Sequence, residues 1–270
     1  MIRRFIQNTL NKFGFAIISF DNVGLFKQFQ RQSLIVDVLY PEITLAADSQ
    51  SQRGQELLVM ALLSPKNDGF FVEFGAVDGI LNSNTLILEK KLGWRGIVAE
   101  AANRWQTELK ANRKCCVDTR CVWSVSGHYL EFAETKQWAD GSTIRHFQNA
   151  DGANRDDVEI YSVETVSLLD LLKTHQAPKY IDFLSIDTEG SENEILEAFD
   201  FTQYSFGLIC VEHNFNQAKQ KSIQNTMELN GYSLLSLARE IFGPDDWFIN
   251  EQKVTNKSAL RRISSRSRGA

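Results

Sequence analysis

Apolar and polar positions change their period several times along this chain, and the changes mark its elements. A polar stretch, Asp48–Glu56, opens into the apolar block Leu57–Leu63. That predicts a helix with Ser51 placed to cap it and Pro65 placed to stop it. Phe70–Phe74, Gly96–Glu100, Cys116–Val122, Tyr180–Ile186 and Gly207–Val211 read as short strands, and the first, fourth and fifth are nearly continuous apolar runs, the pattern of strands covered on both faces. Helical segments lie between them at Thr85–Leu92, Arg104–Asn112, Gly190–Ala198 and Gln217–Asn230, and Tyr232–Leu237 and Trp247–Asn250 predict closing strands. Strands that alternate with helices pair in parallel through right-handed crossovers. The expectation is an α/β fold, a mostly parallel sheet with helices on both faces.

One segment breaks the rhythm. Between Gly127 and Leu168, the strand-like runs Tyr129–Phe132 and Val158–Val163 flank a polar centre, Asn149–Asp157, which predicts a hairpin or lid inserted after the third strand. The chain thus divides into an N-terminal, helical extension (residues 1–50), a main domain (51–250, with the insert at 127–168) and a basic tail (251–270). The tail carries Lys253, Lys257, Arg261, Arg262, Arg266 and Arg268 with no acidic residue beyond Gln252, the composition of a solvated end.

Composition narrows the class. The chain has 270 residues, 43% hydrophobic and 23% charged, which describes a globular protein rather than a disordered one. A formal net charge of -5 gives no reason to expect nucleic acid as a partner. Cys115, Cys116, Cys121 and Cys210 form no Cys-x-x-Cys pair and read as free thiols of a reducing, cytoplasmic compartment. The apolar run Phe13–Phe20 after Arg3 and Arg4 is far shorter than the roughly 20 residues of a spanning helix. It is expected to dock on the domain or to rest peripherally on a membrane surface.

The candidate chemistry begins at Phe71-Val-Glu-Phe-Gly-Ala-Val-Asp-Gly79. Gly75 and Gly79 lie in the first strand-to-helix turn, where absent side chains let backbone and ligand approach. Glu100 ends the second strand, the place for a carboxylate that accepts ribose hydroxyls. A dinucleotide loop would read Gly-x-Gly-x-x-Gly, but Val77 holds the middle position. The acid within the strand, Glu73, suits a ligand that carries an amino group and a sulfonium.

Taken together, several motifs resemble the FkbM-type methyltransferases: Ser51-Gln-x-Gly-Gln55, Phe71-Val-Glu-Phe-Gly-Ala-x-Asp-Gly79, Ser83-Asn-Thr85, Gly93-Trp-x-Gly-Ile97, Glu100, Ile186-Asp-Thr-Glu-Gly-Ser-Glu192 and Val211-Glu-His-Asn214. The resemblance covers residues 48 to 240. Ala101 departs from it where many members have proline, and Trp123-Ser124 replaces more usual small residues. It implies a Rossmann-like class I methyltransferase fold with a seven-stranded sheet, S-adenosylmethionine as cofactor, and O-methylation of a hydroxyl on a sugar, glycan or secondary metabolite. By the same resemblance Glu73, Gly75, Ala76, Asp78 and Gly79 cradle the methionine end of the cofactor, with Ser83 and Asn84 beside them. Glu100 holds the ribose, and Val122 and Trp123 border the adenine unless Trp123 is simply core.

Methyl transfer to a hydroxyl needs a proton acceptor or a metal. Asp187 ends the fourth strand with Glu189 following, and Glu212-His213-Asn214 end the fifth. His213 is the expected base, with Asp187 and Glu189 as further catalytic candidates, although acids at a helix start also cap it and offset its dipole. Asp187, Glu212 and Asn214 also resemble the Mg²⁺ ligands of some other class I O-methyltransferases, and hard oxygen donors suit that ion. N-methylation of a small molecule and a catalytically silent nucleotide-binding scaffold remain the alternatives.

Overall fold

The computed structural model describes residues 48–63, 66–150, 154–236, 238, 239, 243–258, 260 and 261. The N-terminal extension, apart from its last residues, and the end of the basic tail lie outside the described residues, as does Pro65. Helix α1 (Gln55–Leu63) opens the described part, and all of its residues are buried. Ser51 Oγ accepts from the N–H groups of Gly54 and Gln55, each at 3.0 Å. At the other end, Asn256 donates from its backbone to Leu62 O and from Nδ2 to Ala61 O (both 3.0 Å), satisfying carbonyls that a helix end leaves open.

Strand β1 (Phe70–Phe74) follows, then α2 (Leu86–Leu92), β2 (Arg95–Ala99), α3 (Gln106–Asn112), β3 (Cys116–Asp118), β4 (Cys121–Trp123), β5 (Tyr129–Thr135), β6 (Thr143–Ile144) and β7 (Val158–Ser167). The chain closes with α4 (Leu168–Thr174), β8 (Tyr180–Ile186), α5 (Glu192–Glu197), β9 (Ser205–Glu212), α6 (Gln217–Leu229), β10 (Ser233–Leu234) and β11 (Asp245–Ile249). Seven strands form the main sheet in the order β10-β11-β9-β8-β1-β2-β3. Neighbours from β9 through β3 are parallel, whereas β11 runs antiparallel to both β9 and β10. The sheet is therefore mostly parallel, with one reversed strand near an edge.

Alternation along β1 divides the core into two layers. Phe71 joins Phe183, Leu208 and Trp247 under α1, α2 and α3, and the indole of Trp247 stacks on Phe183 at 5.7 Å and 8°. Val72 and Phe74 face the other way, onto α4, α5 and α6. Helices on both faces explain why the central strands read as apolar without a period of two.

The expected third strand is in fact two. Residues 116–118 extend the main sheet, and after two residues the chain turns into β4, which enters a second sheet of order β4-β7-β5-β6. The expected hairpin is its centre, β5 against β7 over Tyr129–Thr135 and Val158–Glu164. The expected closing strand at 232–237 shortens to Ser233–Leu234, because the chain turns into helix at 236.

Candidate active site

The main sheet runs outward from β1 to β3, then returns to β8 on the other side of β1. Such a reversal opens a crevice at the carboxyl ends of the two central strands, where ligands bind in open α/β sheets. Gly75 and Asp187 stand at those ends. Gly75 adopts φ +73°, and a Cβ on it would lie 1.9 Å from Asp187 O. A side chain there would force β1 and β8 apart.

A cleft of about 550 Å³, counting space open to solvent, starts at this point. Gly75, Val77, Glu100, Asp187 and Glu189 line it together with an apolar wall of Ala101, Ala102, Cys121, Val122, Phe132 and Ile144. Glu100 hangs from the end of β2 and is buried. Its Oε2 accepts from Val77 N–H at 2.9 Å and its Oε1 from Ala102 N–H at 2.7 Å, so each oxygen keeps a second lone pair. Burial pushes this carboxyl up to about 7, against the pull of those backbone donors.

Other expected cofactor residues support the turn without lining the cleft. Both oxygens of Glu73 are taken up beneath it: Oε1 accepts from Asn84 N–H (2.6 Å), and Oε2 from Ser83 Oγ (3.0 Å), Thr85 Oγ1 (2.5 Å) and the Arg113 guanidinium (3.2 Å). Arg113, with its side chain wholly buried, also pairs with Glu89 at 2.6 Å. Asn84 Nδ2 donates to Ser185 Oγ at 2.9 Å. Asp78 Oδ1 accepts from the N–H groups of Ile80 and Leu81 and so shapes the turn that ends at Gly79. Ala76 is buried, its N–H on Ala99 O. Trp123 is half-buried and packs against the small core of the second sheet, 6.0 Å from the Phe147 ring.

At the ends of β8 and β9 the structure gathers acids. Carboxylate oxygens of Asp187, Glu189 and Glu212 all lie within 4.8 Å of one another. Burial, then the charge of Glu212, raises the Asp187 carboxyl well above the usual range. Burial, then Glu189, pushes Glu212 up to about 8. Like charges this close share a proton or hold a cation. Asn214 stands beside the group, donating from Nδ2 to Glu189 Oε2 at 3.2 Å. Arg155 also reaches Glu189 Oε2, at 2.9 Å, from a buried position in the second sheet's connection. Asp245, at the start of β11, is raised by burial to about 6 and accepts from Gln55 Nε2.

His213 is buried, and its contacts run to Gln220 and Asp246. Gln220 Nε2 donates to Asp246 Oδ1 (3.4 Å) and lies 2.9 Å from His213 Nε2. The ring's Nε2 is thus engaged by Gln220, with Asp246 Oδ1 3.7 Å away. Burial lowers the pKa of this imidazole, which keeps it neutral. His213, Asn214 and Glu189 line a second cavity, and Glu189 lines both.

Sequence reasoning missed Arg113 and Arg155, which hold Glu73 and Glu189 from 40 and 34 residues away, because no local spacing marks such pairs. The apolar wall did carry a signal, the Ala101-Ala102 and Cys121-Val122 runs beside Glu100.

A sheet of this order, with a glycine turn after the first strand and an acid ending the second, defines a class I methyltransferase fold. The chain belongs to the methyltransferase FkbM domain family, which its sequence matches over residues 73–234. No curated relative matches it. Among solved structures it is similar to the FkbM methyltransferase of Methylobacillus flagellatus KT (10% identity, 92% of this chain and 70% of that one, TM-score 0.41). It is also similar to precorrin-6y C5,15-methyltransferase of Geobacter metallireducens GS-15 (12%, 73% and 80%, 0.40). A third similar structure is phosphoethanolamine N-methyltransferase 2 of Haemonchus contortus, in complex with S-adenosyl-L-methionine (8%, 94% and 56%, 0.35).

Proposed function

We propose that this protein transfers a methyl group from S-adenosylmethionine to a hydroxyl of a small-molecule or glycan acceptor. The observation that carries the reading is Glu100. It is a buried carboxylate held by two backbone N–H groups with accepting capacity left over, next to an apolar slot, at the reversal point of the sheet. That donor set fits the cofactor: Glu100 would accept from the ribose hydroxyls, Val122 and Cys121 would border the adenine, and the acids at Asp187 and Glu189 favour its cationic end. When bound, S-adenosylmethionine supplies an electrophilic methyl and a neutral thioether leaving group.

The chain's part is positioning and proton removal. Asp187, which lines the cleft, is the residue we assign to take the hydroxyl proton, in the ionised form that it reaches only above its raised pKa beside Glu212. His213 is buried with its Nε2 engaged by Gln220, so we give it a supporting role instead. The same carboxylates, Asp187, Glu189 and Glu212, are the set that would hold Mg²⁺.

Calorimetry should show S-adenosylhomocysteine binding with no comparable response to NAD, and a preference for NAD would end this reading. With an acceptor in hand, labelled methyl should appear on oxygen. Label on nitrogen would make the protein an N-methyltransferase, and binding without turnover a silent scaffold. Asp187→Asn should lower kcat by about 10²–10⁴ and leave turnover indifferent to chelators. Abolition by a chelator and rescue by Mg²⁺ would move the carboxylates to the metal role.

A further inference from the structure

Charge is divided unevenly between the two ends of the main sheet. At the carboxyl ends of the strands stand the acids of the cleft, Asp187, Glu189 and Glu212. The amino ends carry the opposite sign. Arg95 begins β2, Lys114 lies shortly before β3 and Lys179 immediately before β8, and all three are exposed. Strand β11 runs antiparallel to β9 and finishes at Ile249, opposite Leu208 near the start of β9, so the exposed Lys253 and Lys257 emerge at this end too. Asn256 ties their segment to the last turn of α1, Leu260 packs on the core, and Arg261 follows it exposed. Against these cations stand the exposed Asp68, Asp200 and Glu251, while Asp182 is buried and paired with Lys66. The last turns of α2, α3 and α4 add Lys90, Lys91, Lys110 and Lys173, and the ends of α5 and α6 add Glu197 and Glu228. This excess of cations belongs to a chain whose net charge is -5.

We infer that the basic amino-end face docks on an anionic lipid bilayer and turns the cleft away from it. A bilayer is a plane and meets one face of the molecule at a time. The seven residues of β8 separate the two ends by about 23 Å, close to three screening lengths at physiological ionic strength. The acids at the far end therefore do not oppose binding at the near one. The aromatic rings of this face argue against a nucleic-acid strand, which would need them for stacking. Lys66 and Lys253 lie over the Tyr180 ring at 5.5 and 5.1 Å, and Lys179 lies over Tyr204 at 4.0 Å. Stable attachment to a bilayer takes a second signal besides charge, and the sequence carries one in the apolar run Phe13–Phe20 with Arg3, Arg4 and Lys12 before it. That extension joins the described residues at Asp48, which pairs with Lys91 in the last turn of α2 at 3.1 Å, so it enters at the same end. Arg262, Arg266 and Arg268 follow directly on Arg261.

The test is co-sedimentation of the full chain with vesicles at physiological ionic strength. Vesicles of phosphatidylglycerol mixed with phosphatidylcholine should carry the protein down, and vesicles of phosphatidylcholine alone should not. Each cation held near an anionic surface is worth about a fivefold gain in partitioning, so Lys114→Gln, Lys179→Gln and Lys253→Gln combined should lower it about a hundredfold. Lys114→Arg, Lys179→Arg and Lys253→Arg combined, which keep the charge, should bind as the parent does. The exposed Cys116, at the start of β3, reports the orientation: bound vesicles should shield it from a water-soluble maleimide. Equal binding to both kinds of vesicle, or to neither, overturns the inference. So does a Cys116 that stays fully reactive in the bound protein, or an arginine variant that binds as weakly as the glutamine one. Loss of binding in Arg262→Gln, Arg266→Gln and Arg268→Gln combined, with the face variant unaffected, would place attachment in the tail alone and also overturn it. Retention of a single-stranded RNA in place of the vesicles, lost in the glutamine variant, would make the face a nucleic-acid site instead.

Discussion

Glu100 receives its hydrogen bonds from backbone N–H groups rather than from a cation, so its ionisation is coupled to burial and to ligand together. Its folded value, about 7, lies above the ordinary 4.5. A carboxyl raised by folding favours the fold while neutral. Its contribution is therefore present below pH 4.5 and is lost as pH rises through about 7, a difference of about 3 kcal/mol. Ribose hydroxyls donate best to the ionised form, so S-adenosylhomocysteine affinity should climb as pH passes up through about 7 and then level off. Glu100→Ala should weaken binding by about 1.5–3 kcal/mol and flatten that profile in calorimetry; an unchanged slope would remove the ribose assignment. Glu100 and Gly75 were legible in the sequence because a strand end and a left-handed turn restrict the residue to few types. The use of Glu73 was not. An acid within a strand looks the same whether it faces a ligand or a buried Arg113.

At the scale of elements, the second sheet holds the active-site loop by few contacts. Thr143 Oγ1 donates to Glu189 O at 3.0 Å, Gly190 packs where a Cβ would meet Phe147 at 2.5 Å, and Arg155 reaches across to the Glu189 carboxylate. Arg155 also donates to Gly141 O and Gln148 O, so a single side chain ties the connection between β6 and β7 to the end of β8. Arg155→Ala leaves a largely buried carboxylate without its cation, a change worth about 3–5 kcal/mol. Thermal denaturation should register it, and turnover should fall further than S-adenosylhomocysteine affinity. Equal loss of both would mean that Arg155 only stabilises the fold. The insert's existence was visible as a break in the strand–helix rhythm. Its reach back to β4 was not, since β3 and β4 are three residues each, too short to show a period.

For the molecule as a whole, the strand–helix alternation and the apolar character of the central strands fixed the layered architecture before any contact was known. What the pattern could not supply was order. Nothing in Tyr180–Ile186 says that it lies beside β1 rather than beyond β3, because both positions bury both faces. Nor did the chain show the reversed β11, whose direction depends on the turn before it. Among the described residues no helix is long and apolar enough to cross a membrane.

The return of β8 to the side of β1 also sets a timetable. Phe70 N–H bonds the Asp182 carboxylate at a separation of 112 residues, and β1 has β8 as its partner on that side. At ribosomal speeds of about 5–20 residues per second, β1 waits roughly 6–20 seconds in the nascent chain with one edge open. Its sequence, Phe-Phe-Val-Glu-Phe, is the kind that recruits other chains, and Glu73 is the one charge that interrupts it. A fragment ending at Gln176 should therefore sediment as aggregate, and one extended through Ala198 should remain in solution more readily. A soluble, monomeric 1–176 fragment would show that another segment shields β1 in the interval. In the growing chain, then, Glu73 stands as a gatekeeper against misassembly until Arg113 and the loop from Ser83 to Thr85, which emerge well before β8, enclose it.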